Sequence, residues 1–362
     1  MLQLPRRARG GQAGYRSRNC WGIVLLLILL FFSPPGCSPR TAPEASPPAA
    51  PAPPPTSAEK GEPKPLPPSP ITGLPYEKGG SLVAVMVENS TAARPQSGLS
   101  QADLVYEILA EGGITRFMAL YFAQSPPVVG PVRSARPYFV MLAKEWGAIY
   151  AHCGGDPKDL EPIQKWKVID VDEIPHGKPF WRDNTRKSPH NLYTSIDGLR
   201  KFIGRALPEP TARFAFAPWS ENPVKRLDIA YHKDYTVSYR LKTAESAGPT
   251  SSGPPTSSYQ RYMNDQLHLD RESQEALSVS NILIQVAKSR VAYPDGGLTI
   301  DLIGKGKASY VLGGRFLEGY WEKKTVESPT RFYTSDGQAI QLTPGQTWIQ
   351  IVPETARVTL EK

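Results

Sequence analysis

The sequence predicts an α+β or α/β domain with a mixed sheet at residues 71–216, followed by a small antiparallel all-β domain at residues 217–362. Three observations lead to this prediction. Residues 71–216 alternate short apolar segments with helix-start signals such as Asp156-Pro157. Residues 217–362 instead hold many β-branched, alternating segments separated by closely spaced turn sequences. A proline-rich stretch at residues 37–70 has too little apolar content to fold and separates both domains from the N-terminus.

The N-terminus has the pattern of a bacterial export signal. Residues 1–36 carry five arginines and no acidic residue, and they contain an apolar run at residues 21–32. This run is too short to cross a bilayer core of roughly 30 Å comfortably as a helix. Gly36-Cys37 follows it and is similar to the lipobox of bacterial lipoproteins, so we expect cleavage before Cys37 and lipidation of that residue with diacylglycerol and palmitate.

Pro34-Pro35 differ from the usual lipobox, which leaves two alternatives open. The segment could be an ordinary secretory signal or an uncleaved anchor helix. All three interpretations export the chain. The preferred one places the mature protein on the extracytoplasmic face of the cell membrane, held by a lipid anchor.

The charge balance argues against nucleic-acid binding. The whole chain has 42 basic and 34 acidic side chains, a net charge of +8. Loss of the five arginines of residues 1–36 leaves 37 basic against 34 acidic side chains, or +3. Most of the basic excess therefore belongs to the export signal, and no nucleic-acid partner is predicted.

Cysteine and histidine usage predicts neither a disulfide nor a metal site. Cys20 leaves with the signal and Cys37 takes the lipid, so Cys153 is the one cysteine of the folded region. The five histidines show no HxH or HExxH spacing, and no phosphate-binding glycine loop is present. We predict no cofactor.

The residues before the first domain form an expected disordered tether, residues 37–70. Proline favours extended chain of about 3.1 Å per residue, so the tether could reach on the order of 100 Å. A second low-complexity stretch, TAESAGPTSSGPPTSS at residues 243–258, is expected to be a surface loop between two strands.

Elements of the first domain follow in order. Residues 81–88 are a short apolar strand, and residues 104–109 and 116–122 form a hairpin around Gly112-Gly113. Ser134 is the expected N-cap of a helix that ends near Trp146. The remaining elements are a strand at residues 148–152, a helix capped by Asp156, and a surface helix at residues 197–206.

The second domain consists of predicted strands alone. Turn sequences such as Asp336-Gly337 and Gly313-Gly314 separate them. The predicted strands span residues 227–242, 259–270, 278–291, 298–302, 308–321, 330–334 and 346–352.

Several long strings are similar to the YerB-type lipoprotein family. In the first domain these are EGGITRFMALY at residues 111–121, VGPVRSARPYF at residues 129–139 and SPHNLYTS at residues 188–195. In the second domain they are NILIQ, GKGKASYVLGGRFLEGYW and LTPGQTWIQIVP. The resemblance covers nearly all of the chain beyond residue 70. It implies an exported lipoprotein with two adjoining domains and no established activity.

Arg133, Ser134 and Arg136 form the sharpest candidate site. The start of a helix exposes unpaired N–H groups and attracts anions. Two guanidinium groups there can bind a phosphate or carboxylate in a two-pronged manner. The alternative is that these arginines form ion pairs that stabilise the domain.

The loop RDNTRKSPHNLY, residues 182–193, is the second candidate. Polar, basic loops of this kind often carry function, and a histidine can exchange a proton near neutral pH. The alternative is a hydrogen-bonded turn that caps the following helix. We predict that the loop converges with Arg133 and Arg136 on one anion-binding cleft, through Arg182, Arg186, His190, Asn191 and Tyr193.

Four carboxylates and one thiol complete the candidates. Glu107, Glu111 and Asp103, together with Glu88, could form an acid–base or divalent-metal site, or could pair with the arginines. Cys153 follows His152 on a predicted strand, and adjacent strand residues point to opposite faces. A nucleophile–base pair is therefore not expected.

The expected function is binding at the cell envelope by a lipid-anchored protein. The candidate partners are the membrane, an anionic cell-wall polymer or lipid-linked sugar such as a polyprenyl-phosphate sugar, and another envelope protein. One alternative is an enzyme of glycan or phosphoryl transfer, since the first domain resembles the LytR–CpsA–Psr proteins in outline. The other is a structural scaffold.

Overall fold

The computed structural model describes residues 65–218, 222–242, 258–294 and 296–362. The predicted signal peptide, the lipidation site Cys37 and most of the predicted tether lie outside these residues. So does nearly all of the predicted loop at residues 243–258. Within the described ranges, no helix has both the length and the apolar character needed to cross a membrane.

The first region contains both strands and helices, as the sequence predicts. The described strands are β1 (Val83–Glu88), β2 (Leu104–Leu109), β3 (Thr115–Tyr121), β4 (Ile149–His152), β5 (Ile169–Asp172), β6 (Phe180–Arg182), β7 (Leu192–Thr194) and β8 (Ala215–Phe216). The helices are α1 (Pro137–Trp146), α2 (Pro157–Lys165) and α3 (Ile196–Ile203), and 3-10 turns lie at Thr91–Ala93, Leu99–Gln101 and Glu111–Gly113.

Two local predictions are confirmed and one is wrong. Gly112 and Gly113 both have positive φ angles, 67° and 73°, in the turn that joins β2 to β3. The side chain of Asp156 accepts a hydrogen bond from the backbone N–H of Lys158 at the start of α2. Ser134, however, is not the N-cap of α1. Arg136 holds that position in an extended conformation, because the helix begins at a proline that needs no partner for its nitrogen.

The second region consists of strands in its described residues. They are β9 (Arg226–His232), β10 (Tyr235–Lys242), β11 (Ser258–Met263), β12 (Gln266–Leu267), β13 (Ser278–Val279), β14 (Asn281–Val286), β15 (Ser289–Val291), β16 (Leu298–Ile300), β17 (Gly304–Leu312), β18 (Arg315–Lys323), β19 (Arg331–Thr334), β20 (Gln341–Leu342), β21 (Thr347–Val352) and β22 (Arg357–Glu361).

One mixed sheet of ten strands runs through both regions. Its order is β19-β18-β17-β14-β21-β2-β3-β1-β4-β5. A second, six-stranded sheet has the order β12-β11-β10-β9-β22, with β13 paired to β11. Three two-stranded pairs, β6–β7, β8–β20 and β15–β16, complete the described pairings. The fold is therefore α+β with a large mixed sheet.

The expectation that the second region pairs only antiparallel strands is wrong. Strand β21 runs parallel to β14 on one side and parallel to β2 on the other. Its sequence, TWIQIV, is buried along its whole length. A strand buried on both faces is typical of a parallel pairing. The β2–β21 pairing thus joins strands of both predicted domains in one sheet.

Two hydrophobic clusters cover the two faces of the ten-stranded sheet. Met86 and Leu120 point towards the cluster that contains α1. Val85, Val105 and Phe117 point towards the cluster that contains the six-stranded sheet. Side chains alternate between faces along a strand. Charged residues on β1 and β2 therefore face one cluster or the other according to their position.

Candidate functional site

The centre of the candidate site is Glu88, the last residue of β1. Its side chain is only 6% exposed. Nδ1 of His190 lies 2.9 Å from each carboxylate oxygen, so this ring nitrogen carries a proton and donates it. The hydroxyl of Ser90 donates to Oε1 at 2.8 Å, and Nε of Arg133 lies 3.5 Å from Oε2. We call Glu88, Arg133 and His190 the outer cluster.

The backbone fixes Arg133 between two strands. Its N–H donates to the carbonyl of Met86, and its carbonyl accepts from the N–H of Cys153, both at 3.0 Å. The side chain is 30% exposed. Within the described residues, Glu88 is the one carboxylate at ion-pair distance, and Nε of Arg133 has no hydrogen-bond acceptor. Nη1 and Nη2 have no hydrogen-bond partner among the described residues either, and unlike the buried Nε they are accessible to solvent. The donor capacity that a ligand could reach therefore lies at these two atoms.

The loop between β6 and β7 brings His190 to this carboxylate. Nη1 and Nη2 of Arg186 donate to the carbonyls of Ala93 and Pro95, each at 2.6 Å. These bonds hold the loop against the segment that follows β1. Arg186 is therefore occupied by main-chain carbonyls and positions the loop.

Arg182 and Asn191, at the two ends of the same loop, are joined by a hydrogen bond. Nη1 of Arg182 donates to Oδ1 of Asn191 at 3.1 Å, and Nη2 lies 3.4 Å from Oε1 of Glu173. The Arg182 side chain is 43% exposed, so this ion pair leaves much of the guanidinium in contact with water.

Tyr193 connects the loop to the second region. Its hydroxyl accepts a hydrogen bond from Nη1 of Arg271 at 3.0 Å. The same Nη1 donates to Asp183 at 2.6 Å, and Nη2 donates to Thr185 at 2.9 Å. Arg271 is thus part of the loop's support, although nothing in the local sequence pointed to it.

Arg136 and Ser134 belong to a different cluster. Nε and Nη2 of Arg136 bind the two oxygens of Glu111, and Nη1 lies 3.3 Å from Asp159. Burial opposes the charged form of Arg136, but the hydrogen bonds and charge of Glu111 outweigh it and raise the pKa. The carbonyl of Ser134 accepts from Arg116 at 2.8 Å. Two carboxylates thus contact Arg136, and one of them, Glu111, also lies 3.9 Å from Nη2 of Arg116.

A cavity of about 350 Å³ lies beside this second cluster. Glu111, Arg136, Cys153 and Asp159 are among the residues that line it. Burial raises the pKa of the Cys153 thiol to about 11, and Glu173, which accepts a hydrogen bond from it at 3.3 Å, adds to the increase. The thiol is therefore protonated at neutral pH and is a poor nucleophile.

The remaining predicted acid–base residues are buried. Nη2 of Arg261 donates to Oε2 of Glu107 at 2.5 Å, and both side chains are inaccessible to solvent. Asp103 accepts the backbone N–H groups of Phe122 and Ala123 at 2.6 and 3.3 Å. Both carboxylates are thus part of the internal structure. Among the described residues, no group of three or more His, Cys, Asp or Glu side chains could hold a metal ion.

Comparisons with known proteins establish the family. Residues 71–208 match the family described as "Protein of unknown function (DUF3048) N-terminal domain", and residues 251–349 match its C-terminal domain. "Putative lipoprotein YerB" of Bacillus subtilis is 33% identical over 305 residues, which is 81% of this chain and 88% of that protein. The chain belongs to the YerB-type lipoprotein family.

A solved structure of the YerB-type family shares the fold. The crystal structure of YerB from Bacillus subtilis superposes with a TM-score of 0.71 at 32% identity. The match covers 81% of this chain and 99% of that chain. The resemblance identified from the sequence strings is therefore confirmed.

Proposed function

We propose that this chain is a lipid-anchored protein of the extracytoplasmic face of the membrane, and that it binds an anionic envelope ligand at the outer cluster. The basic, apolar and Gly36-Cys37 pattern supports the anchor, as does a relative that is named a lipoprotein. The observation that carries the binding proposal is the shared carboxylate of Glu88. Two groups that can bear positive charge, Arg133 and His190, contact this one acid.

The hydrogen-bond balance of the outer cluster favours an external anion. The single carboxylate of Glu88 is shared by the guanidinium of Arg133 and the imidazole of His190, and Arg133 still has unused donors. Arg136 provides the contrast, because Glu111 and Asp159 both contact it. Guanidinium groups form strong, directional bonds with phosphate and carboxylate. A ligand anion would complete the hydrogen bonding of Arg133.

Binding is favoured over catalysis by the state of the reactive groups. The Cys153 thiol is held protonated, and Glu107 is enclosed in an ion pair. Neither can serve as a nucleophile or a base towards a ligand at the surface. The polar groups near Arg133 are suited to holding an anion.

The anchor is tested by mass spectrometry of the mature N-terminus. We expect a mature chain that begins at Cys37 and carries acyl mass, and we expect Cys37→Ala to leave the membrane fraction. A mature chain that begins elsewhere, or that lacks acyl mass, would contradict the lipoprotein assignment.

The binding site is tested by titrating the mature protein with inorganic pyrophosphate in a calorimeter. Loss of a charge-assisted contact costs about 1.5–3 kcal/mol, so Arg133→Gln should weaken binding about ten-fold or more. Arg290→Gln is the control, because Arg290 is exposed and pairs with Asp301 in the second region. Equal affinity in all three proteins would refute the site.

A further inference from the structure

Trp181 lies in the middle of β6, which pairs with β7 in a short hairpin. It is one of the large hydrophobic residues that are exposed to solvent, with 40% of its surface accessible. It lies on β6 directly opposite Tyr193 on β7. Covering the exposed part of this ring with a ligand would remove apolar surface from water, which is favourable.

The indole is held in place from beneath. The rings of Trp181 and Tyr193 are nearly parallel, with an interplanar angle of 26° and centroids 6.5 Å apart. Arg271 fixes Tyr193 by the hydrogen bond to its hydroxyl and by lying 5.7 Å from the ring centroid. The three side chains form a supported stack, which we call the Trp181 platform. Within the described residues, Tyr193 is the one ring that contacts Trp181.

A second stacked pair of aromatic rings, Tyr320 and Tyr333, differs from the Trp181 platform because a side chain of the protein covers one of its ring faces. Tyr320 and Tyr333 are also cross-strand partners, with centroids 5.1 Å apart and an angle of 24°. Nζ of Lys305 lies 3.6 Å from the centroid of the Tyr320 ring. A side chain of the protein itself therefore contacts that ring face.

The chain around Trp181 carries two lysines without an acidic partner. Residues 176–190 contain four Lys or Arg residues and one acid, Asp183, which pairs with Arg271. Arg182 pairs with Glu173 and Arg186 binds main-chain carbonyls, which leaves Lys178 and Lys187 without an ion pair among the described residues. An apolar ring face amid excess positive charge complements a ligand that offers apolar ring faces and negative charge together. Pyranose rings that carry carboxylate or phosphate groups have both properties.

We propose that the ligand is an acidic polysaccharide and that one of its pyranose rings stacks on the Trp181 platform. The C–H groups of a sugar ring pack on the indole face, where the aromatic quadrupole is negative. The hydroxyl groups at the ring edge stay hydrated or bind the polar loop. This inference rests on the proposed function and adds the class of ligand and the residue that recognises it.

The experiment compares three probes on the mature protein at one salt concentration. Oligomannuronate supplies acidic pyranose rings, poly(glycerol phosphate) supplies negative charge without sugar rings, and a single-stranded DNA oligonucleotide supplies negative charge with aromatic bases. Trp181→Leu removes the aromatic face, Trp181→Phe keeps one, and Tyr320→Leu is the matched control in the second stacked pair. Arg133→Gln tests the anion site separately.

We expect wild-type protein to bind oligomannuronate more tightly than the other two probes. Trp181→Leu should lower that affinity ten-fold or more and leave poly(glycerol phosphate) binding unchanged. Trp181→Phe should retain most of the affinity, and Tyr320→Leu all of it. Arg133→Gln should weaken both anionic polymers.

The outcomes that contradict the Trp181 platform differ from the one that contradicts the proposed anion site. If Trp181→Leu has no effect on oligomannuronate while Arg133→Gln weakens both polymers, the platform fails and the proposed anion site stands. If Arg133→Gln changes the affinity of neither polymer, the proposed anion site fails, whatever the result for Trp181→Leu. Tighter binding of the oligonucleotide would assign the platform to bases instead of sugars. An unchanged urea midpoint for Trp181→Leu and Trp181→Phe would show that the fold persists in both variants.

Discussion

Two clusters in this protein use the same three residue types in opposite ways. The inner cluster consists of Glu107, Arg261 and His268, and the outer cluster consists of Glu88, Arg133 and His190. In the inner cluster the glutamate and arginine side chains are fully buried. In the outer cluster the glutamate is nearly buried, but Arg133 is 30% and His190 25% exposed.

Every polar oxygen of the inner carboxylate is satisfied by the protein. Thr115 and Tyr235 each donate to Oε1 of Glu107 at 2.7 Å, and Arg261 donates to Oε2. Nη1 of Arg261 lies 2.5 Å from Nδ1 of His268. Burial, with Arg261 and Arg94 adding to it, lowers the pKa of His268 far below its ordinary value. His268 is therefore neutral, accepts from Arg261 and leaves the cluster balanced.

The difference lies in position along the strands. By alternation, Glu107 shares the face of Val105, which packs against the six-stranded sheet. Glu88 shares the face of Met86 and ends its strand, where a loop covers it in part. One glutamate thus joins two sheets through a buried ion pair. The other holds an arginine at the surface with donors to spare.

The two clusters nevertheless touch through one side chain. Nε2 of Gln96 donates to the carbonyl of Glu88 at 2.9 Å, and its Oε1 accepts from His268 at 2.8 Å. The balanced inner cluster thus supports the backbone on which the outer cluster is built. We therefore expect mutations in the inner cluster to lower the free energy of unfolding more than mutations in the outer cluster.

The largest expected effect is therefore the loss of Glu107. Glu107→Gln leaves Arg261 buried without a counter-charge, which should lower the free energy of unfolding by about 3–5 kcal/mol. Glu88→Gln is the matched change in the outer cluster and should cost about 1 kcal/mol, because Arg133 and His190 can be hydrated. Urea denaturation measures both. Equal costs would remove the distinction between the clusters.

Asp103 shows how a buried carboxylate behaves without a guanidinium in contact. Burial raises its pKa to about 6, although the N–H groups of Phe122 and Ala123 oppose the shift. The folded state then binds the proton more tightly than the unfolded chain does. This group adds stability below about pH 4, and the contribution is lost as the pH rises through 6.

The change between pH 4 and pH 7 should be on the order of 2 kcal/mol for this group. Asp103→Asn should flatten that part of the stability profile, measured by urea denaturation at a series of pH values. A variant whose profile has the same slope as the wild type would show that Asp103 titrates normally.

Arg136 tests the comparison within one short segment, since it lies three residues after Arg133. Arg136 is contacted by Glu111 and Asp159 and is largely buried. Arg136→Gln should lower the free energy of unfolding by about 1–3 kcal/mol, between the values for exposed and buried pairs. Arg133→Gln should cost less than about 1 kcal/mol. The reverse order would place Arg133 among the structural arginines.

Local chemistry explains what the sequence could predict. The Gly112-Gly113 turn and the Asp156 cap depend on neighbouring residues, so their sequence signals are sufficient. The start of α1 was misplaced at Ser134 because a good capping residue lay near a proline that defines the true first position. Competing local signals could not be ranked without the tertiary structure.

Long-range pairing explains what the sequence could not predict. Arg261 lies 154 residues after Glu107, and nothing near either residue indicates the other. The parallel pairing of β2 with β21 has the same origin, since an apolar strand does not specify its neighbour. Of the predicted cationic residues, the structure brings His190 and Arg133 to one carboxylate. It gives Arg136 and Arg186 other partners.

The most direct test of the difference between the outer and inner clusters is an NMR experiment. It follows the Nε–H signals of the arginines while pyrophosphate is added. The Nε atoms of Arg133 and Arg261 are both buried without a hydrogen-bond acceptor among the described residues, so each reports on its own cluster. We predict that the Arg133 signal shifts progressively and saturates, while the Arg261 signal stays in place. An Arg133 signal that does not move, or two signals that move together, would contradict the account.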